Sequence, residues 1–290
     1  MKTEELLERI EEEMNLNTAN IEGKFYISAF PKAGLHLLDL MVRPMAMPMA
    51  YNPTWNTPWA GMYQRNSWTT EMVAQEKITL KISRLIPGHF LKGHLGYTPE
   101  MSMFLFYSGI THYVIYRDLR DVAVSQVYHI MDPENRLFSH PDKQLFLDLG
   151  GFDEILEAVL VGLDDYAGVF ERWELYAPWI SSAWSLSMRF EDVIADPLTW
   201  AKKMILHFYE RMETLLDIDP EGRQLSDRQL EEIAMEMVAT SLRTGLSPTF
   251  RKGVPGEWKT HLNDKNKDLF KQLDEENWLV KLGYEEDKDW

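Results

Sequence analysis

The chain has 290 residues, a formal net charge of −16 and no cysteine, and 45% of its residues are hydrophobic. This composition is typical of soluble globular proteins. The acidity argues against a nucleic-acid partner, whose binding depends on lysine and arginine, and the missing cysteines exclude disulfides and thiolate metal sites. No apolar run approaches the roughly 20 residues of a membrane span, and the N-terminus lacks the basic flank and apolar core of a signal peptide. We therefore expect a soluble, cytoplasmic protein that binds neither nucleic acid nor membrane.

The N-terminal part of the chain predicts an acidic amphipathic helix over residues 1–20, followed by a strand, a turn and a second helix. The strand covers residues 24–27, and the turn contains Lys32 and Gly34. Such a unit binds anions, because free backbone N–H groups and the positive helix end converge there. The turn lysine adds an ammonium group. The P-loop motif GxxxxGK[ST] is absent, so the chain is not an ordinary P-loop nucleoside triphosphatase.

Residues 43–68 are rich in proline and aromatic side chains. Their four prolines exclude a regular helix or a central strand. A long irregular segment inside a compact domain is usually a functional loop. We expect this loop to line the acceptor pocket, with core filling as the alternative, through its five large aromatic residues: Tyr51, Trp55, Trp59, Tyr63 and Trp68.

Strands and helices alternate along the rest of the chain. Strands are predicted at residues 90–94, 111–116 and 185–190. Helices are predicted at residues 69–85, from 98, 118–130, 152–176 (one helix or two), from 197, 225–243 and 264–279, with a basic, glycine-rich loop at 250–259. This alternation indicates an α/β fold with a central, mostly parallel sheet flanked by helices. Without an internal repeat or a linker, residues 1–290 are expected to form one domain.

Three basic side chains follow predicted strands directly. Lys32, His94 and Arg117 each come just after a strand. Parallel α/β sheets bind ligands at the carboxyl ends of their strands, so we expect the three side chains to open onto one crevice. An anion-binding lysine, a possible base and an arginine suggest transfer chemistry on a phosphorylated cofactor.

Four segments carry a family resemblance, in the family's order. AFPKAGLHLL is similar to YPKSGTTWL, LKGHLGY to KxHLP, YRDLRDVAVSQVYH to RNPKDVAVSYYHF, and FRKGVPGEWKTHL to RKGxxGDWK. These are motifs of the cytosolic-type sulfotransferases, which transfer a sulfuryl group from 3′-phosphoadenosine 5′-phosphosulfate (PAPS) to an alcohol or amine. With weaker similarity in MRFEDVIADP and VATSLRTG, the resemblance covers roughly residues 24–270. It implies the P-loop-kinase-like sulfotransferase fold, PAPS as cofactor with PAP as its product, and no metal.

The resemblance also implies a role for each matching residue. His94 is the expected general base, and Lys32 and Lys92 are expected to act beside it. The expected cofactor contacts are Lys32, Ala33, Gly34, Leu35, His36, Leu37, Arg117, Ser125, Phe190, Thr240, Arg251, Lys252 and Gly253. Tyr97 joins the five loop aromatics as an expected acceptor contact.

The chain departs from the family pattern at several positions. Leu35 and His36 replace two threonines, which removes two hydroxyl contacts, and Leu37 replaces a tryptophan that stacks on adenine. His36 either contacts the ligands or packs structurally. The dimerisation signature KxxxTVxxxE is degraded after Lys259, which leaves monomer and dimer open.

The acceptor and the alternatives follow from these points. We expect a small molecule, such as a natural product, that is sulfated on a hydroxyl or on an amine or guanidinium nitrogen. Aromatic faces and an acidic surface suit a cationic acceptor, while neutral alcohols, phenols and carrier-bound hydroxyacyl groups stay open. The alternatives are an ATP-using kinase-like enzyme and a degenerate, non-catalytic nucleotide-binding module.

Overall fold

The computed structural model describes residues 23–48, 75–132, 142–164, 166–216, 225–242 and 253–290. Within these ranges a five-stranded sheet has the order β2–β3–β1–β4–β7, and every neighbouring pair is parallel. Its strands are β1 (Lys24–Ala29), β2 (Met47–Pro48), β3 (His89–Gly93), β4 (Ile110–Tyr116) and β7 (Ser185–Arg189). A separate antiparallel pair consists of β5 (Gly162–Leu163) and β6 (Tyr166–Ala167). The predicted α/β class with a parallel sheet is confirmed.

The helices connect the strands and cover both faces of the sheet. None of those in the described ranges is long and apolar enough to cross a membrane. In chain order they are α1 (Leu35–Val42), α2 (Gln75–Ile82), α3 (Pro99–Tyr107), α4 (Leu119–Met131), α5 (Lys143–Leu147), α6 (Phe152–Val161), α7 (Val169–Glu174), a 3-10 helix (Ala177–Ser181), α8 (Phe190–Ala195), α9 (Pro197–Leu216), α10 (Asp227–Ser241), α11 (Trp258–His261), α12 (Asp264–Leu273) and α13 (Trp278–Lys281).

The sheet is buried on both faces because alternate residues of its inner strands belong to two hydrophobic clusters. In β1, Phe25 and Ile27 lie in the larger cluster, whereas Tyr26 lies in the smaller one. Strand side chains alternate between faces, and parallel strands covered on both sides are apolar throughout. This explains why β1 and β4 are mostly apolar and do not alternate regularly between apolar and polar residues.

One helical prediction is confirmed in its two-helix form, and another needs correction. Residues 152–176 form two helices, α6 and α7, with the β5–β6 hairpin between them. Gly162 has a φ of 106°, and a Cβ there would lie 2.9 Å from the carbonyl oxygen of Tyr166. The predicted helix 264–279 ends at Leu273, because the Asp274 carboxylate accepts hydrogen bonds from the Trp278 and Leu279 amides and starts α13.

Other local predictions are confirmed within a few residues. Thr98 caps α3 by accepting a hydrogen bond from the Met101 amide at 3.1 Å, with Pro99 at the first helical position. Pro48 lies in the two-residue edge strand β2, where proline is tolerated, so the predicted irregular loop 43–68 begins with a short paired segment. The predicted helix 1–20, the remainder of that loop and the start of helix 69–85 lie outside the described residues.

Candidate active site

The carboxyl ends of β3, β1 and β4 lie side by side in the sheet. His94 immediately follows β3, Arg117 immediately follows β4, and Lys32 lies three residues beyond β1. The three strands are parallel and in register, with Ser28 opposite Gly93 and Ala29 opposite Ile115. Each of the three basic residues therefore follows a strand, as predicted, and the three strands are neighbours in the sheet.

The loop between β1 and α1 has the backbone of an anion-binding turn. Lys32 has a φ of 67° and Gly34 a φ of 114°, while the Ala33 amide donates to the Phe30 carbonyl at 3.0 Å. Gly34 precedes α1, and no side chain in the described part of the chain caps this helix. The first amides of an uncapped helix are available to an anion.

Gly34 is also required because the loop packs closely on its neighbours. A Cβ at this position would lie 2.7 Å from Cδ2 of Phe190 and 3.3 Å from Cδ1 of Ile115. Phe190 begins α8 and is buried. The loop therefore rests on the Phe190 ring, and any side chain at Gly34 would push the two apart.

His94 is held in one tautomer beside two lysines. Its Nδ1 lies 2.8 Å from the Ala29 carbonyl oxygen. A carbonyl only accepts hydrogen bonds, so Nδ1 carries the proton and Nε2 carries the lone pair. The pKa of His94 is lowered to about 4, chiefly by burial and also by the charges of Lys32 and Lys92, while the Ala29 hydrogen bond opposes this shift. The imidazole is therefore neutral at neutral pH.

Two further histidines lie in the same electrostatic environment. Burial, followed by the charges of Lys92 and Lys32, lowers the pKa of His36 to about 3. Burial and the charge of Lys32 lower the pKa of His129 on α4 to about 4. The structure thus places His36 close to the lysines. His129 was not predicted, because only the packing of α4 brings it near the loop.

Lys92 forms a buried ion pair with Asp39 of α1. Its Nζ lies 2.5 Å from Oδ2 of Asp39, and Nε of Arg43 lies 3.2 Å from Oδ1 of the same carboxylate. Lys92 is 7% exposed and Asp39 is 4% exposed. Sequence analysis missed Asp39, although one acid in the otherwise apolar run LHLLDLMV is a visible signal.

Arg117 is buried where β4 meets the loop before α11. One terminal nitrogen donates to the Val254 carbonyl at 2.8 Å and to Asp121 at 3.1 Å, and the guanidinium lies 4.7 Å from the Phe190 ring centre. Its Nε is buried, and it has no hydrogen-bond partner in the described part of the chain. Such a donor suits a phosphate oxygen.

Asp121 joins this arginine to the glycine-rich loop. Its carboxylate accepts hydrogen bonds from the Gly256 amide at 2.7 Å and the Trp258 amide at 2.9 Å. The link crosses more than a hundred residues of sequence, so sequence analysis did not find it. These hydrogen bonds hold the segment that follows Gly253 in place. Gly253 itself has a φ of 65°.

The other predicted site residues occupy varied environments. Ser125 is half-buried on α4, Thr240 is half-buried on α10, which packs on α1, and Leu37 is half-buried, whereas Ala33 and Leu35 are buried. The Tyr97 ring packs edge-on against Trp179 at 4.9 Å, which places it at the smaller hydrophobic cluster. Seven predicted residues lie outside the described ranges: Tyr51, Trp55, Trp59, Tyr63, Trp68, Arg251 and Lys252.

The site is suited to an anionic group. Lys32, Lys92 and Arg117 contribute positive charge at one edge of the sheet, next to uncapped helix amides and a buried arginine donor without a partner among the described residues. Among those residues, no group of three or more histidines and acids is arranged to hold a metal ion. A phosphorylated cofactor therefore fits the residues present.

Comparisons with known proteins agree with this geometry. Mouse sulfotransferase SULT7A1 complexed with PAP is 18% identical, with a TM-score of 0.54 over 88% of this chain and 84% of that one. Retinol dehydratase, with androsterone and the inactive cofactor PAP or with retinol and PAP, is 14% and 15% identical. Both comparisons have a TM-score of 0.52 over 91% of this chain and 84% of that one. These likenesses show a P-loop-like sulfotransferase fold. A family model described as the sulfotransferase domain matches residues 24–278, and the chain therefore belongs to the sulfotransferase domain family.

Proposed function

We propose that this protein is a PAPS-dependent sulfotransferase with a small-molecule acceptor. One observation carries the proposal: His94, whose Nδ1 is fixed by the Ala29 carbonyl, follows β3 next to the anion-binding loop, near Lys32 and Lys92. When bound, PAPS supplies the sulfuryl group, and its sulfur–oxygen bond to the phosphate breaks as a bond to the acceptor forms. The known relatives in complex with PAP support this choice of cofactor.

The chain's own residues then divide the work. Nε2 of His94 accepts the proton of the acceptor hydroxyl or amine, which is general base catalysis. Lys32 and the first amides of α1 offset the negative charge on the departing phosphate oxygen, and charge stabilisation of this kind is usually the largest catalytic term. Arg117, with its buried Nε, and Ser125 would hold the 3′-phosphate. These roles require no metal.

The acceptor is a small molecule with a hydroxyl group or an amine or guanidinium nitrogen. The retinol dehydratase structures contain androsterone or retinol, which are small molecules with a hydroxyl group. The net charge of −16 favours a cationic acceptor through long-range attraction. Turnover of a cationic acceptor should then fall as salt rises, whereas no salt dependence would favour a neutral one.

The cofactor is tested by thermal stabilisation with PAP, using ADP and ATP as controls without a 3′-phosphate. A ligand at a hundred times its Kd stabilises the folded state by about 2.7 kcal/mol. A shift in melting temperature with PAP alone would support the proposal. Equal shifts with ADP would favour the kinase-like alternative, and no shift with any nucleotide would favour the non-catalytic module.

The base is tested by replacing His94 with alanine. We expect turnover with PAPS to fall at least ~100-fold, while stabilisation by PAP is retained. His89→Ala is the matched control, because His89 begins the same strand and its ring contacts the Pro87 carbonyl at the opposite end of the sheet. Full activity in His94→Ala would refute the assignment of the base.

A further inference from the structure

The Asp39–Lys92 ion pair is an unusual feature of the protein interior. Asp39 lies on the buried side of α1, and each of its two oxygens contacts a different cation, Lys92 at 2.5 Å and Arg43 at 3.2 Å. The Arg43 side chain is 36% exposed, so it connects the buried carboxylate to the surface. Desolvating such charges costs several kcal/mol per ion, and apolar residues of similar size are often more stabilising. The pair therefore calls for an explanation beyond stability.

The position of Lys92 supplies that explanation. Lys92 is the fourth residue of β3, and His94 is the first residue after the strand, so the two residues lie two positions apart at its carboxyl end. The charge of Lys92 is close enough to perturb both His94 and His36. The ammonium group of Lys92 therefore contributes positive charge beside the proposed base.

We propose that Asp39 is a positioning residue, which fixes the charged ammonium group of Lys92 beside His94 at the point of sulfuryl transfer. The inference rests on the proposed function and extends it to a residue outside the family motifs quoted above. A lysine ammonium is a point charge on a flexible four-carbon stem. Without a fixed partner, the ammonium group would not stay at one position.

Asp39 also couples the two halves of the site. It belongs to α1, the helix whose first turn follows the anion-binding loop, whereas Lys92 belongs to the strand that leads to His94. The ion pair therefore fixes the position of His94 relative to the anion-binding loop before α1. Catalytic groups must be held within about half an ångström of their working positions.

A double-mutant cycle tests this role. We expect Asp39→Asn and Lys92→Met each to lower kcat at least ~10-fold, with the Kd for PAP within about threefold of wild type. If Asp39 acts through Lys92, adding Asp39→Asn to Lys92→Met should cause no further loss of kcat. Arg43→Met removes the other contact of Asp39 and serves as the control, with kcat within about twofold of wild type.

A second readout needs no substrate. Urea unfolding is measured for the wild type, the two single variants Asp39→Asn and Lys92→Met, and the double variant. Adding Asp39→Asn should reduce the denaturant midpoint more in the wild type than in Lys92→Met, because only the wild-type background then has a buried ammonium group without its partner. Asp39→Glu keeps the charge but lengthens the side chain by one methylene. It should therefore recover part of the lost turnover, and it replaces Asp39→Asn in the cycle if that variant does not fold.

The outcomes separate the two proposals. A wild-type protein that binds no PAP and sulfates no acceptor overturns the proposed function, and with it the role of Asp39 in transfer. Wild-type turnover combined with independent, multiplicative losses of kcat in the cycle overturns the role of Asp39 alone. A kcat above wild type in Asp39→Asn would also overturn it, since the carboxylate would then restrain the lysine. If the double variant loses no more kcat than Lys92→Met alone, the result supports the proposal.

Discussion

Gly34→Ala tests whether the anion-binding loop depends on its close contact with α8. The substitution introduces a methyl group 2.7 Å from Phe190 at a residue with a φ of 114°. A residue with a Cβ loses about 1–2 kcal/mol in the left-handed region, and forced overpacking costs about 1–3 kcal/mol. The reduced entropy of the unfolded chain returns about 0.4–1 kcal/mol. We expect Gly34→Ala to lower the free energy of unfolding by about 2–4 kcal/mol.

Gly88→Ala is the matched control for this prediction. Gly88 also has a positive φ, 74°, but a Cβ there would meet no atom within 4 Å. Gly88→Ala has the backbone strain of a positive φ but no steric clash, so we expect it to lower the free energy of unfolding by about 1 kcal/mol.

Urea unfolding measures both glycine variants, and PAP titration should show a loss of affinity for Gly34→Ala only. Phe190→Leu removes part of the clashing ring and should recover part of the stability lost in Gly34→Ala. Equal losses of stability in Gly34→Ala and Gly88→Ala would refute the packing argument.

Three other predictions concern the base, the phosphate contact and the C-terminus. Because the pKa of His94 is lowered to about 4, kcat/KM should stay constant down to about pH 5 and fall as the pH drops through 4, and an acid limb near 6.5 would contradict it. Arg117→Lys keeps the charge but loses the planar fork, so affinity for PAP should fall about 10-fold while affinity for ADP is unchanged. Trp290→Ala should lower the free energy of unfolding by about 1–2 kcal/mol in urea titrations, because the Trp290 and Trp258 rings enclose the buried guanidinium of Arg120 at 4.4 and 3.7 Å.

Much of the fold and the site was accessible from sequence because the necessary signals are local. Lys32, His94 and Arg117 each follow a strand by at most three residues, and the parallel arrangement then places them at one edge. The turn at Gly34 and the cap at Thr98 are also encoded within a few neighbouring residues. Local signals of this kind suffice for the individual strands, the loop and the sequence of helices along the chain, but not for the order of the strands in the sheet.

The missed features depend on partners distant in the sequence. Asp39 meets Lys92 across 53 residues, and Asp121 meets the Gly256 amide across 135 residues. The spacing of Asp39 and Arg43 is local, but nothing near Asp39 in the chain indicates its contact with Lys92, because that contact requires β3 to lie beside β1. The helix predicted over 264–279 failed for a local reason, since Asp274 accepts backbone hydrogen bonds that begin a new helix.

The replacement of two threonines by Leu35 and His36 changes how the site handles negative charge. Leu35 is 5% exposed and packs in the larger hydrophobic cluster, so one hydroxyl contact is lost to the core. His36 stays half-buried near Lys92 and Lys32, and its lowered pKa keeps it neutral at neutral pH. A neutral imidazole still has one N–H donor, so it can replace a hydroxyl as a donor without adding a positive charge. The proposed anion site then relies on two lysines, the uncapped amides of α1 and one imidazole, which gives the proposed positioning of Lys92 by Asp39 more weight.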